Sequence, residues 1–151
     1  MVLNVLTPLL LQVWGGGGSS SCSQPEGRHF RIVRSLDSIR EGNALVIGRA
    51  RIDVPSEWKL ITVSNVSGVI GPRELPRLLN EITNSLRENP DRAVVIACPE
   101  YLALHNGFEV LMKFLNTVRD YSLVHSGRVY LVTERSVWDE RQYALLKLLE
   151  G

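Results

Sequence analysis

The chain has 151 residues, 44% of them hydrophobic and 22% charged, which fits one globular domain and excludes an intrinsically disordered chain. Its 17 Lys and Arg stand against 16 Asp and Glu, so the net charge of +1 supplies no field for a polyanion; no cluster of five or more basic residues gives a specific nucleic-acid signal. No apolar run reaches the roughly 20 residues of a membrane-spanning helix, and two cysteines, Cys22 and Cys98, are too few for a disulfide framework or a closed zinc site.

Taken in order, the chain divides into a segment over residues 1–24 and a single α/β domain over 28–151. Met1 to Trp14 carries no charged side chain, has Pro8 in its middle, and runs into the Gly/Ser stretch Gly15 to Ser21, a flexible linker composition. The segment lacks the basic flank of a secretory signal and the Lys/Arg face of a typical interfacial helix. Three readings stay open for it: a peptide that docks on a partner, a membrane-surface contact through residues 1–14, or a tail with no role. Gly15 to Gly18 is not a phosphate loop, because no Lys-Ser/Thr follows and no buried strand precedes it.

In the body, His29 to Val33 alternates polar with apolar residues and predicts an edge or half-buried strand. Ser35 to Glu41 predicts a short helix capped by Ser35 or Asp37 and stopped by Gly42. Ala44 to Ile47 is a continuous apolar run, the mark of a strand covered on both faces, and Lys59 to Val63 is another strand. Leu75, Leu78, Leu79, Ile82 and Leu86 form one apolar helix face, with Pro76 tolerated if the helix begins near Arg73 or Glu74. Ala93 to Ala97 is the most apolar strand and is expected at the centre. Asn106 with Glu109 has the spacing of a capping box, followed by Phe108, Leu111, Met112, Leu115 and Val118 on one face and a Glu109–Lys113 pair on the other. Arg128 to Val132 is a further strand, and Ser136 with Asp139 opens a last helix burying Leu145, Leu148 and Leu149. Apolar strands alternating with amphipathic helices predict a mostly parallel sheet with helices on both faces.

In such a sheet, ligands bind at the carboxyl ends of the strands. Those ends fall at Gly48-Arg49, Ser64-Asn65, Cys98-Pro99-Glu100 and Thr133-Glu134-Arg135. No Walker A loop is present, and Ala97-Cys98 supplies no acid where a Walker B strand would place one. Cys98 follows the central strand, but His105 and His125 have no motif tying them to it, and a buried free cysteine mostly acts as a small hydrophobe. His105 has no metal ligand at usable spacing; its distance of five residues from Glu100 misses one helix face. Glu100 behind Pro99 complements a helix N-terminus, and a binding role beside Arg49 is the alternative. Trp58 and Trp138 sit at element boundaries, as sheet-end packing or as interface anchors.

The run Glu100-Tyr101-Leu102, His105-Asn106-Gly107-Phe108, Lys113-Phe114-Leu115 and Arg119-Asp120 resembles the central stretch of an archaeal domain of unknown function, family number 835. Upstream, Gly42 with Leu45-Val46-Ile47-Gly48-Arg49 and the segment Pro72 to Leu79 are similar to that family's pattern, as is Asp139-Glu140 downstream, so the likeness covers Gly42 to Glu150. It implies a degenerate RecA/KaiC-like three-layer core without the phosphate loop. It also implies a regulatory or signalling module, often attached to membrane segments or sensory domains, with no activity attached. The acid usually near the end of the central strand falls at Ala97 here, which weakens any metal or nucleotide role. Residues 1–24 are outside the resemblance.

The expectation is a cytoplasmic, non-enzymatic binding or regulatory module without a cofactor. Residues 1–24 would tether it to a protein partner, a larger assembly or a membrane surface. The expected contact residues are Leu9, Leu10, Leu11 and Trp14 in the tail, with Arg49, Glu100 and Trp138 at the carboxyl edge of the sheet. The alternative is a nucleotide or small-molecule sensor without a phosphate loop.

Overall fold

Ala44-Leu45-Val46-Ile47 and Ala93-Val94-Val95-Ile96 carry no polar side chain on either side, so they form strands only where both faces of a sheet are covered. In the computed structural model, which describes residues 29–50, 52–66 and 68–150, all eight of these residues are fully buried. They belong to β2 (Ala44–Gly48) and β4 (Ala93–Ile96), joined by β1 (Phe30–Val33), β3 (Lys59–Thr62) and β5 (Val129–Val132). The order across the sheet is β1-β5-β4-β2-β3, and every pairing is parallel. The most apolar strand is therefore central and the alternating one lies at an edge, as the sequence pattern predicts.

Among the described residues the helices are α1 (Leu75–Glu88), α2 (Pro99–Asn106), α3 (Phe108–Val124) and α4 (Glu140–Leu148). Their buried residues do not form the expected pair of helical layers. Leu78 and Ile82 of α1, Leu102 of α2, Leu111 and Leu115 of α3 and Leu146 of α4 all join one cluster with Leu45, Ile47, Val94, Ile96, Val129 and Leu131. The alternate strand residues Val46, Val95 and Tyr130 face the other way, where Ile39, Trp58, Leu36, Ile52 and Val54 cover them. The second face is thus closed by the connections β1–β2 and β2–β3, which contain a 3-10 turn at Leu36–Ser38 but no α-helix among the described residues. Crossover handedness explains the division. Connections that run toward β1, through α1 and through α2–α3, lie on one face; those that run toward β3 must lie on the opposite face if both keep the usual right hand.

The helix-free connection that crosses more of the sheet passes from β1 over β5 and β4 to β2. Glu41 fastens it. Its carboxylate accepts two hydrogen bonds from Arg128, at 2.6 and 2.9 Å, and one from the Tyr130 hydroxyl at 2.7 Å. Its carbonyl oxygen accepts from Trp58 Nε1 at 3.0 Å. The expected helix over Ser35 to Glu41 shrinks to the single 3-10 turn for this reason: Ser35 is extended, makes no side-chain cap, and the chain must stretch to reach β2.

Other local expectations are corrected. Asn106 is not the cap of α3; it is the last residue of α2, and its Nδ2 donates to the carbonyls of Leu102 and Pro72, both at 2.8 Å. Gly107, at φ +90°, separates the two helices, a backbone conformation that a side chain would strain. No capping bond involves Glu109, and the Glu109–Lys113 ion pair does not form among the described residues. At the last helix, Asp139 makes the capping box with Gln142, while Ser136 lies in the preceding 3-10 turn (Arg135–Val137). Leu149 is buried as expected, but Leu148 is 71% exposed and Leu145 half-buried, and Leu146 completes the stripe in their place. Just beyond α4, Glu150 turns back to the sheet edge: its carboxylate accepts the Ile32 N–H of β1 at 2.7 Å and pairs with Lys147 at 2.6 Å.

Burial alone would raise the Glu41 pKa, but the hydrogen bonds from Arg128 and Tyr130 and the charge of Arg128 outweigh it and hold the group below the usual carboxylate range. The folded value is lower than the unfolded one, so the stabilisation is complete above the unfolded carboxylate pKa and is lost as pH falls through the folded value. Glu41→Gln is expected to lower the unfolding free energy by about 2 kcal/mol at neutral pH. Urea titrations of both proteins at decreasing pH should show that gap closing on the acid side.

Candidate functional site

The connections leaving β2 and β4, neighbours in the sheet, depart in opposite directions. A crevice opens at the carboxyl ends of two strands wherever this reversal occurs, and ligands of open parallel sheets sit there. Here the two strand ends are Gly48-Arg49 and Ala97-Cys98. Gly48 keeps the crevice floor tight, since a Cβ on it would lie 3.2 Å from Ile52 Cδ1 and 3.7 Å from Ala97 Cβ. Exposed Arg49 lays its guanidinium over the Tyr101 ring, 3.7 Å from the centroid. Tyr101 in turn meets His105 edge-on at 4.7 Å. Arg49, Cys98, Glu100, Tyr101 and Leu104 line a pocket of 350 Å³.

Glu100 lies in the first turn of α2, where its charge complements the helix N-terminus. It does more than that. Its carboxylate accepts a hydrogen bond from the hydroxyl of Thr133, the residue after β5. The same Thr133 oxygen accepts from Trp138 Nε1 at 2.8 Å, and the Trp138 ring meets Phe108 edge-on at 5.6 Å. The chain Glu100–Thr133–Trp138 therefore links the end of β4, the end of β5 and the start of α3. Beyond it lies a cavity of 600 Å³ bordered by Ile32, Arg34, Arg135, Trp138 and Tyr143.

Three residues singled out from sequence, Arg49, Glu100 and Trp138, thus share the carboxyl edge, two of them joined through one hydroxyl. Leu9, Leu10, Leu11 and Trp14 lie outside the described residues. Trp58 is elsewhere: it is buried on the helix-free face, at the amino edge, against Glu41. Thr133 and Arg135 fall in a strand-end loop that the sequence marks, but the pairings themselves, Thr133 with Glu100 and Trp138, Tyr101 under Arg49, and Arg135 with Tyr143 at 5.8 Å, carry no sequence signal. Each depends on which strand ends are neighbours.

Cys98 faces inward. It is 3% exposed, its Sγ lies 3.8 Å from the Ile47 carbonyl oxygen, and burial, opposed by Arg49 and reinforced by Glu100, pushes the thiol up to about 12. The histidines serve other contacts. His29 Nε2 donates to the Arg119 carbonyl at 3.0 Å, with burial lowering its pKa, and His125 caps the far end of α3. Among the described residues no group of three or more His, Cys, Asp or Glu could hold a metal, and no helix is long and apolar enough to cross a membrane.

Residues 24–149 match the family model described as "Protein of unknown function (DUF835)". The match reaches upstream of the motifs between Gly42 and Glu150 and takes in β1. No curated protein and no solved structure matches the chain.

Reactivity of a thiol follows its thiolate fraction and its access. In a Cys22→Ser background, a disulfide reagent such as 5,5′-dithiobis(2-nitrobenzoate) at pH 8 is expected to label Cys98 at least a hundredfold more slowly in buffer than in 6 M guanidinium. Labelling of the native protein at the denatured rate would contradict the buried placement.

Proposed function

This chain belongs to the DUF835 family, and from that premise we propose that it is a non-catalytic recognition module. The carboxyl edge of its sheet engages a partner protein, and residues 1–24 tether the module to the same assembly. The observation that supports the reading most is the fixed Glu100–Thr133–Trp138 chain beside the Arg49–Tyr101 stack. An aromatic ring and an arginine held in place before binding lose little freedom when a partner covers them, and these residue types are the common anchors of interfaces. The apolar, uncharged composition of residues 1–14 behind a Gly/Ser linker supports the tether. A location in the cytoplasm and a regulatory role belong to this proposal.

A second reading, a nucleotide or small-molecule sensor without a phosphate loop, is favoured by the 350 Å³ pocket at the point where the connections reverse. It predicts a saturable rise in melting temperature with one member of a nucleotide panel.

The test is sedimentation of lysates from cells making the full chain, a version lacking residues 1–24, and the Arg49→Glu/Trp138→Ala variant, with circular dichroism to verify folding. The full chain is expected in a fast-sedimenting fraction that detergent leaves intact. Both altered chains are expected at the top of the gradient. A folded edge variant that sediments with the full chain would overturn the recognition role of the edge.

A further inference from the structure

We propose that the cavity between β1, β5 and α4 is a binding site for an apolar carboxylate, a ligand that ends in one carboxylate next to a hydrophobic group. The inference rests on reading the carboxyl edge as a recognition surface and names the chemistry that one part of it takes.

The cavity has an apolar part, and the side chains that form it are held in place. Ile32, Trp138 and Tyr143 are each half-buried and leave hydrophobic surface facing the cavity. The Trp138 ring is held on two sides, by its bond to Thr133 and by the edge contact with Phe108. Tyr143 lies on the first turns of α4, whose start is fixed by the Asp139–Gln142 capping box. A volume of 600 Å³ falls in the range of small-ligand sites and accommodates an aromatic or branched aliphatic group with room for its polar end.

The rim sets the charge. Arg34, Glu134 and Arg135 border the cavity. Glu134 offsets one arginine, through an exposed contact of 3.6 Å to Arg34, which solvent weakens. Among these three rim residues one positive charge is left over, since the Glu100 carboxylate is engaged by the Thr133 hydroxyl, and the Arg135 guanidinium lies 5.8 Å from the Tyr143 ring centroid. A single carboxylate balances that charge and matches the planar fork of a guanidinium. A phosphate dianion would exceed it and would sit beside Glu134. Ser136 adds a hydroxyl at the same mouth.

Two sources share this chemistry: a free organic acid and the C-terminal residue of a peptide. Three probes separate them on the full chain labelled with nitrogen-15: 3-phenylpropionate, acetyl-Gly-Gly-Phe with a free carboxylate, and the same peptide as its C-terminal amide. The reporter is the Trp138 indole N–H resonance, assigned by its absence in Trp138→Phe. A free-carboxylate probe is expected to shift it saturably, with at least tenfold weaker binding for the amide. Arg135→Gln and Arg34→Gln, both at exposed positions, are expected to weaken the acid at least threefold each, and Lys113→Gln, on the outer face of α3, to leave it unchanged. Binding of the peptide acid alone assigns the site to a chain terminus; binding of both acids assigns it to a free acid. An unmoved Trp138 resonance with all three probes, or equal affinity for acid and amide, overturns the inference. A chain that still sediments with its assembly while ignoring the acids keeps the recognition reading and loses this one.

Discussion

The hydrogen bonds that Glu41 makes to Arg128 and Tyr130 hold a strap across a face that has no helix to cover it. A five-stranded parallel sheet with fully apolar central strands needs cover on both sides. The four helices of the described residues lie on one side: α1 and α2–α3 because their connections run the same way along the sheet, and α4, which follows the last strand, because its Leu146 joins the same cluster. The other side depends on two extended segments, and an extended segment over a sheet has no internal ladder to stiffen it. Polar anchoring has to do what helix packing does elsewhere. Glu41 does it from a nearly dry position, with a side chain 8% exposed, and the Trp58 indole joins the second strap to the same point.

The same division of connections shapes the edge that carries the candidate site. Because the β2 connection leaves on the strapped face and the β4 connection leaves on the helical one, their carboxyl ends part and leave Arg49 exposed over the half-buried Tyr101 ring. Because β4 and β5 are neighbours, the residue after one reaches the first helical turn after the other, and a single threonine hydroxyl can bind Glu100 and Trp138 at once. The amino edge has a different character. There His29, Glu41, Arg128 and Trp58 satisfy backbone and side-chain groups within the fold, so its polar residues are engaged internally.

Much of this architecture was legible in the residues. Continuous apolar runs marked β2 and β4, and the purity of Ala93 to Ile96 placed it at the centre. The spacing of Leu75, Leu78, Ile82 and Leu86 gave α1, and Asp139 marked the start of α4. Arg49, Glu100 and Trp138 could be assigned to one edge because a parallel strand's carboxyl end is known once its direction is known. What was not legible depends on contacts between distant segments. The periodicity of Ser35 to Glu41 suits a helix, and only the distance from β1 to β2 forbids it. Asn106 has the spacing of a cap, yet Gly107 can adopt a positive φ and so moves the boundary by one residue and turns Asn106 toward Pro72. Leu148 fits the apolar pattern of α4 as well as Leu146 does, and the position of β1 beside the helix decides which is buried.

β1 is the first of the described strands, but its strand neighbour among the described residues is β5, the last one, and on its outer edge the Ile32 N–H is taken by Glu150, 118 residues further on. During synthesis this segment therefore has no place in the sheet until nearly the whole domain has left the ribosome. Long-range pairing of this kind slows folding, and an unpaired apolar strand is exposed while it waits. Residues 1–28 precede that waiting strand and are synthesised before it. The completion of the sheet by β5 and Glu150 is then the last step of the domain's own closure, and it waits on residues 129–150.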